Sequence, residues 1–185
     1  MGKVAVKPGT YLNPVPAVMV TCGPREKPNI ITLAWVGTVC SDPPMLGISI
    51  RPSRYSNELI KQQGEFAVNL PTVDLVRVTD YCGSVSGRKV DKFAATGLTP
   101  VPAKAIDTVL IAECPLNIEC RVTQVLPLGA HDLFLAQVVA VQADDSLLDE
   151  AGDLDLSSAE LLAYSGGRYW SLGQLLGTHG FSAKT

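Results

Sequence analysis

The sequence predicts an α+β domain that is mainly β: a β-barrel with a few short helical inserts. Three observations predict it. Leu116, Ile118, Cys120 and Val122 alternate with Asn117, Glu119, Arg121 and Thr123, the period-two pattern of a half-buried strand. Residues 133–141 form a nearly continuous apolar run rich in β-branched side chains, which predicts a strand buried on both faces. Glycines and prolines are spread along the chain as punctuation between short apolar runs, as the many turns of a β-rich domain require.

The elements follow in order. Residues 15–21 read as a first strand, closed by the turn Cys22-Gly23-Pro24 with a polar tip at 25–27. Residues 29–39 read as a second strand, bulged near Gly37. A third covers 45–50, reached through Pro43-Pro44. Residues 56–63 have helical character, with Ser56 as N-cap and Gly64 as the stop. Residues 65–70 return as a strand that Pro71 ends, and 72–82 read as helical. Residues 84–93 are a glycine-containing polar loop that leads into a short turn. The loop between the two strongest strands, 127–132, holds Gly129 and His131. Residues 144–155 are acidic and solvent-facing, and 161–164 and 168–170 read as short final strands.

A chain of 185 residues is long enough for one domain with a sizeable core, expected to span 1–185. Its 46% hydrophobic and 18% charged content is that of a folded protein rather than a disordered one. The net charge of -3 gives no general attraction to nucleic acid or to an anionic membrane, so neither partner is expected. No secretory signal and no apolar stretch of roughly 20 residues is visible, so the expected location is cytoplasmic. Five cysteines without a C-x-x-C pair, and two histidines, argue against a disulfide framework and against a metal centre. No P-loop, G-x-G-x-x-G, H-E-x-x-H or G-x-S-x-G motif occurs, so a nicotinamide nucleotide would bind transiently, without a dedicated domain.

Two segments carry chemistry. Arg51, Ser53, Arg54 and Ser56 lie just before and at the start of a helix. Guanidinium forks, hydroxyls and unpaired helix N–H groups together suit a phosphate monoester. A solvated loop with an ordinary cap is the plainer reading of the same residues. The strand from Asn29 to Trp35 offers backbone edges and apolar side chains to a flat, hydrogen-bonding ring, with Thr32, Ala34 and a turn at 38–41 on that edge. Taken singly, Trp35 reads as a core residue and Cys40 as a buried, inert thiol. Arg88 to Lys92 form a second basic cluster, which either supplies a lysine to the same ligand or is a salt-bridged surface turn. His131 either faces the site or sits on a surface loop.

Read together, these segments resemble the flavin reductase-like family, and within it the flavoredoxin branch. The resemblance runs through Pro14–Pro16, Asn29–Trp35, Ser41-Asp42-Pro43-Pro44 and Arg51–Asn57. It continues through Gly64-Glu65-Phe66-Ala67-Val68-Asn69-Leu70 and residues 80–93, 112–120, 129–138 and 152–173. It implies a split β-barrel that binds FMN near a homodimer interface. By that similarity Asn29, Thr32, Leu33, Ala34 and Trp35 line the flavin ring and ribityl chain. Val39, Cys40 and Ser41 fall near the reactive edge of the ring. Arg51, Ser53 and Ser56 meet the phosphate, and Lys92 and Phe93 match an Asp-Lys-Phe run that approaches the cofactor. Ala136-Gln137 departs from the Gly-Glu of many relatives. The implied function is an FMN-dependent oxidoreductase drawing electrons from NAD(P)H. The alternatives are a flavoredoxin-type carrier served by a redox protein, and a non-redox barrel holding another small ligand. No catalytic side chain is assigned.

Overall fold

The structure, a computed structural model, describes residues 2–183. Its centre is a curled seven-stranded sheet of order β3-β2-β6-β9-β10-β5-β4, all pairs antiparallel. The strands are β2 (Val18–Cys22), β3 (Asn29–Leu33), β4 (Val36–Ser41), β5 (Pro44–Ile50), β6 (Glu65–Leu70), β9 (Leu116–Pro127) and β10 (Asp132–Ala143). A three-stranded sheet joins β1 (Val15–Pro16) to β11 (Leu162–Ser165) and β12 (Arg168–Ser171), and β7 (Pro100–Pro102) pairs with β8 (Val109–Ile111). Three short helices complete the fold: α1 (Tyr55–Gln63), α2 (Val76–Ser84) and α3 (Lys92–Thr96).

The predicted mainly β architecture is therefore observed, but two strands divide. The first expected strand, 15–21, splits at Ala17: β1 joins the small sheet and β2 the large one. The second, 29–39, breaks at residues 34–35 rather than bulging at Gly37. Its halves, β3 and β4, lie on opposite edges of the large sheet. The register shift expected near Gly37 falls between Thr38 and Cys40, and residues 38–41 are strand rather than turn. Two connecting residues span at most about 10 Å from Leu33 to Val36, so the two edges must approach each other. The sheet accordingly curls into a barrel, and the Ser49 N–H donates to the Trp35 carbonyl at 3.0 Å across the join.

Alternation fills the barrel. Val18, Val20 and Cys22 of β2, Ile31 and Leu33 of β3, and Leu46, Ile48 and Ile50 of β5 point into one core. Phe66, Val68, Phe134 and Ala136 join them, and Leu59 and Ile60 of α1 pack against the same cluster. The opposite face of β2 and β3 presents Met19 and Ile30 to a second cluster with Cys82, Phe93, Leu98 and Ile111. Burial on both faces, predicted for 133–141, belongs to β2 instead, where every residue is buried. In β10 only Asp132, Phe134 and Ala136 are fully buried; on the other face Val139 packs in part against the cluster of Ala103, Ile106 and Leu110, and Val141 is exposed.

Side-chain polar groups hold the barrel where the ladders cannot. Asn69 donates to the Met19 carbonyl at 3.0 Å and accepts from the Ile111 N–H and from Asn117 Nδ2. Fully buried Glu119 accepts from the N–H groups of Lys104 and Ala105 and from Gln142 Nε2. At the β9–β10 hairpin Asp132 accepts from Asn57 Nδ2 at 2.9 Å and from Lys61 Nζ at 2.8 Å, tying α1 to β10. Asn57 Nδ2 also donates to the Ile50 carbonyl at 3.2 Å, so one amide binds α1, β5 and β10 together.

The hydrogen bonds from Lys61 and Asn57 hold the Asp132 carboxyl below its ordinary value. A depressed folded-state value means stability that is complete above the unfolded pKa of about 4 and is lost as pH falls through the folded one. Asp132→Asn should lower the unfolding free energy at pH 7 by about 1–3 kcal/mol. The gap between variant and wild type should close in urea titrations repeated below pH 3, and a gap independent of pH would contradict the assignment.

Candidate functional site

The break between β3 and β4 opens a groove. One part, about 180 Å³, is lined by residues 31–35, Ser49, Ile50, Arg51, Arg54, Gly83 and His131. A second part, about 210 Å³, is lined among others by Asn29, Ser53, Arg54, Ser56, Gly87 and Lys92. Ile31, Arg54 and Gly83 border both, so the two form one continuous cleft.

One end is cationic. Arg51, Ser53 and Arg54 sit in the turn before α1, and no side chain caps that helix: Arg54 occupies the N-cap position. Neither Arg51 nor Arg54 forms an ion pair among the described residues. Two unpartnered guanidinium groups beside an uncapped helix N-terminus are a receptor for an anion. Ser56 is not the predicted cap. It lies in the first turn, 1% exposed, and its Oγ accepts from Asn29 Nδ2 at 2.7 Å. Ser56 thus fixes the Asn29 amide beneath the cleft.

The other end is apolar and aromatic. Trp35 is 44% exposed at the bend, so it is not a core residue. Its ring centroid lies 4.6 Å from that of His131, which the β9–β10 hairpin delivers to the same rim. Thr32 Oγ1 donates to the Thr79 carbonyl at 2.5 Å, which docks α2 against β3. Glycines permit this approach. A Cβ on Gly83 would lie 3.1 Å from Thr32 Cβ, and one on Gly87 would fall 1.8 Å from Asn29 Oδ1. Any side chain at Gly87 would displace the Asn29 amide.

Lys92 forms the floor, 4% exposed, and starts α3, whose N-cap Asp91 accepts the Ala94 N–H. Its ammonium donates to the carbonyls of Ile30 and Cys82, both at 2.5 Å. Burial lowers its pKa, countered by Cys82 and Cys22 and reinforced by Arg54. Burial likewise pushes the Cys22 and Cys82 thiols up to about 11 and Cys120 to about 12, and it raises Cys114 as well. Among the described residues no group of histidine, cysteine and carboxylate side chains is arranged to hold a metal ion.

Of the residues singled out from sequence, the cleft gathers Asn29, Thr32, Leu33, Ala34, Trp35, Arg51, Ser53, Ser56 and Lys92. Phe93 is instead packed in the second core cluster. Val39, Cys40 and Ser41 do not line the cleft, because β4 departs along the far edge of the sheet. Val39 is 54% exposed there, and Cys40 Sγ donates to the Asp42 carbonyl at 3.4 Å. Sequence reasoning left Gly83 and Gly87 without a role. Their signal was the small-residue run of 83–87 beside a strand that needs close approach.

An anion receptor joined to a strand edge with an aromatic rim thus lies on a curled antiparallel sheet of the flavin reductase-like split-barrel type. The chain matches the model of the flavin reductase like domain over residues 10–173, and it belongs to that flavin-binding family. Flavoredoxin of Desulfovibrio vulgaris (Miyazaki F) is 30% identical, with a TM-score of 0.90 over 99% of this chain and all of that one. Flavoredoxin from Methanosarcina acetivorans is 31% identical, with a TM-score of 0.90 over the full length of both. An FMN-binding protein from Thermus thermophilus is 28% identical, with a TM-score of 0.77 over 92% of this chain and 94% of that one. No helix among the described residues is long and apolar enough to cross a membrane.

Proposed function

We propose that this protein is an FMN-dependent oxidoreductase. The observation that carries the reading is the pair of unpartnered guanidinium groups, Arg51 and Arg54, at the uncapped start of α1 and at one end of a cleft whose other end is the Thr32–Trp35 bend. In this reading those groups and Ser53 hold the phosphate. Asn29, braced by Ser56, faces the ribityl chain, and the backbone of 32–35 runs along the ring. Thr32, Ala34 and Gly83 border the flat part of the cleft, and Trp35 with His131 limits access at its rim. Gly83 packs directly against Thr32, so α2 and β3 form one closed wall of the cleft. A bound flavin supplies the one- and two-electron chemistry; the chain supplies position, exclusion of water and a fixed electrostatic setting.

NAD(P)H is the proposed donor, entering transiently from the open rim. A flavoredoxin-type carrier, reduced by another protein, is the second reading, favoured by the full-length likeness to two proteins of that name. We further propose a homodimer. Trp35, Val39, Trp170, Leu175 and Leu176 are each exposed, and β4 has one unpaired edge, the features that a second copy would remove from water.

Arg51→Ala combined with Arg54→Ala should weaken FMN binding about 100-fold, at about 1.5 kcal/mol for each charge-assisted contact. Riboflavin, lacking the phosphate, should bind both proteins alike; equal losses for both ligands would argue against a phosphate contact. Anaerobic mixing of the FMN-loaded protein with NADH or NADPH should bleach the flavin absorbance within seconds. Absence of bleaching, with reduction by a low-potential donor, would replace the first reading with the carrier. Sedimentation equilibrium should return the mass of two chains, and a single-chain mass at micromolar concentration would remove the dimer.

A further inference from the structure

Residues 2–14 precede β1 as an arm without regular structure, exposed throughout. The end of this arm faces the bend between β3 and β4. Between them lies a chamber of about 420 Å³, larger than either part of the cleft and within the size range of small-molecule sites. Residues 9–12 of the arm and Val15 form one wall, and Ala34, Trp35 and Val36 form the other. Gly9 shapes the arm: a Cβ there would lie 2.8 Å from the Tyr11 ring, so glycine lets that ring fold back along its own segment. No charged side chain lines the chamber, and its polar side chains are the hydroxyls of Thr10 and Tyr11. Tyr11, Leu12 and Trp35 are all exposed, so three large side chains border one open space. Ala34 and Trp35 also line the aromatic end of the cleft, so a single bend separates the two spaces.

The lining decides the class of occupant. A phosphate or carboxylate entering this chamber would be desolvated without a partner charge. A flat, neutral ring instead gains burial against Trp35, Leu12 and Val36. A carbonyl on that ring accepts from the hydroxyl of Thr10 or Tyr11. The shared bend adds a third condition, because whatever fills the chamber lies beside the aromatic end of the cleft. A quinone meets all three: it is planar, it is uncharged with carbonyl acceptors, and it takes up an electron pair. Resting on the FMN reading above, we propose that the chamber binds a small neutral quinone as the electron acceptor. The quinone takes a hydride from the reduced flavin, which returns to its oxidised form, and a proton from water; it leaves as the hydroquinone. The arm is then the outer wall of the acceptor site, and its apolar side chains set the acceptor class.

The test titrates menadione into the flavin-free chain carrying Trp170→Phe, which leaves Trp35 as the one indole to report quenching. Saturable quenching with a Kd below about 100 μM is expected. Tyr11→Ser combined with Leu12→Ser strips the apolar wall of the arm. Both residues are exposed, so the fold should hold, checked by an unchanged denaturation midpoint. This variant should bind menadione about tenfold more weakly and FMN as before. In the FMN-loaded, anaerobically reduced protein, reoxidation by menadione should saturate. At low menadione it should slow by the same factor in the variant, while reoxidation by ferricyanide, a small anion, should not change. FMN binding without saturable menadione quenching would overturn the inference alone. So would a double substitution that weakens menadione and FMN equally, or one that leaves menadione binding intact. In the last case, a fall from the mass of two chains to that of one would show a second copy to be the occupant. Failure of the wild type to bind FMN would overturn the oxidoreductase reading itself and this inference with it.

Discussion

The two-residue connection from Leu33 to Val36 governs this molecule. It joins strands at opposite edges of one seven-stranded sheet, so the chain cannot satisfy both ladders unless the sheet rolls up. The bend it forces prevents Ala34 and Trp35 from continuing either strand. Their backbone and the Trp35 ring are left at the surface, beside the turn that leads from β5 into α1. The cleft is therefore a by-product of closure: the place where the sheet edges meet without a complete seam. The turn bearing Arg51 and Arg54 lies at the end of β5, the strand that bonds to this bend through Ser49.

Buried polar contacts then hold the walls in place. Asn57 and Lys61 reach from α1 to Asp132, so the helix start and the His131 hairpin move as one body. Asn29 and Ser56 tie β3 to the same helix. Lys92 and Thr32 tie β3 to α2 and α3 through backbone carbonyls. Each contact joins segments far apart in sequence. Loss of one would loosen two walls together, because an unpaired buried donor or acceptor is more costly than an absent one.

Most of the strands could be read from alternation and from turn residues, since a half-buried strand needs nothing beyond period two. The Leu116–Pro127 strand is of that kind. The break at Ala34-Trp35 was not legible, because Asn29 to Ser41 has no proline and its one glycine, Gly37, sits three residues late. What interrupts it is a tertiary requirement, the pairing of its halves with different neighbours. The apolar content of β10 misled in another way: Val139 and Val141 resemble core residues, yet Val139 is only partly buried, against Ala103, Ile106 and Leu110, and Val141 is exposed. For the cleft, residues contiguous in sequence were legible because a single bend and turn carry them. Phe93 and Val39 were assigned by resemblance, and their local environments in this chain are a packed core and an exposed edge. Ser56 lines the cleft, and its hydroxyl accepts from Asn29.

The buried cysteines have a chemical consequence. Attack on an oxidant requires the thiolate, and a thiol held near 11 supplies it at neutral pH in only about one molecule in ten thousand. Reduced flavins generally leak electrons to dioxygen and release peroxide close to their own binding site. In this barrel the sulfur atoms nearest the cleft, Cys22 and Cys82, stay protonated and out of solvent reach. Sulfenic acids and mixed disulfides are thereby disfavoured at these two positions, without any pairing of sulfurs.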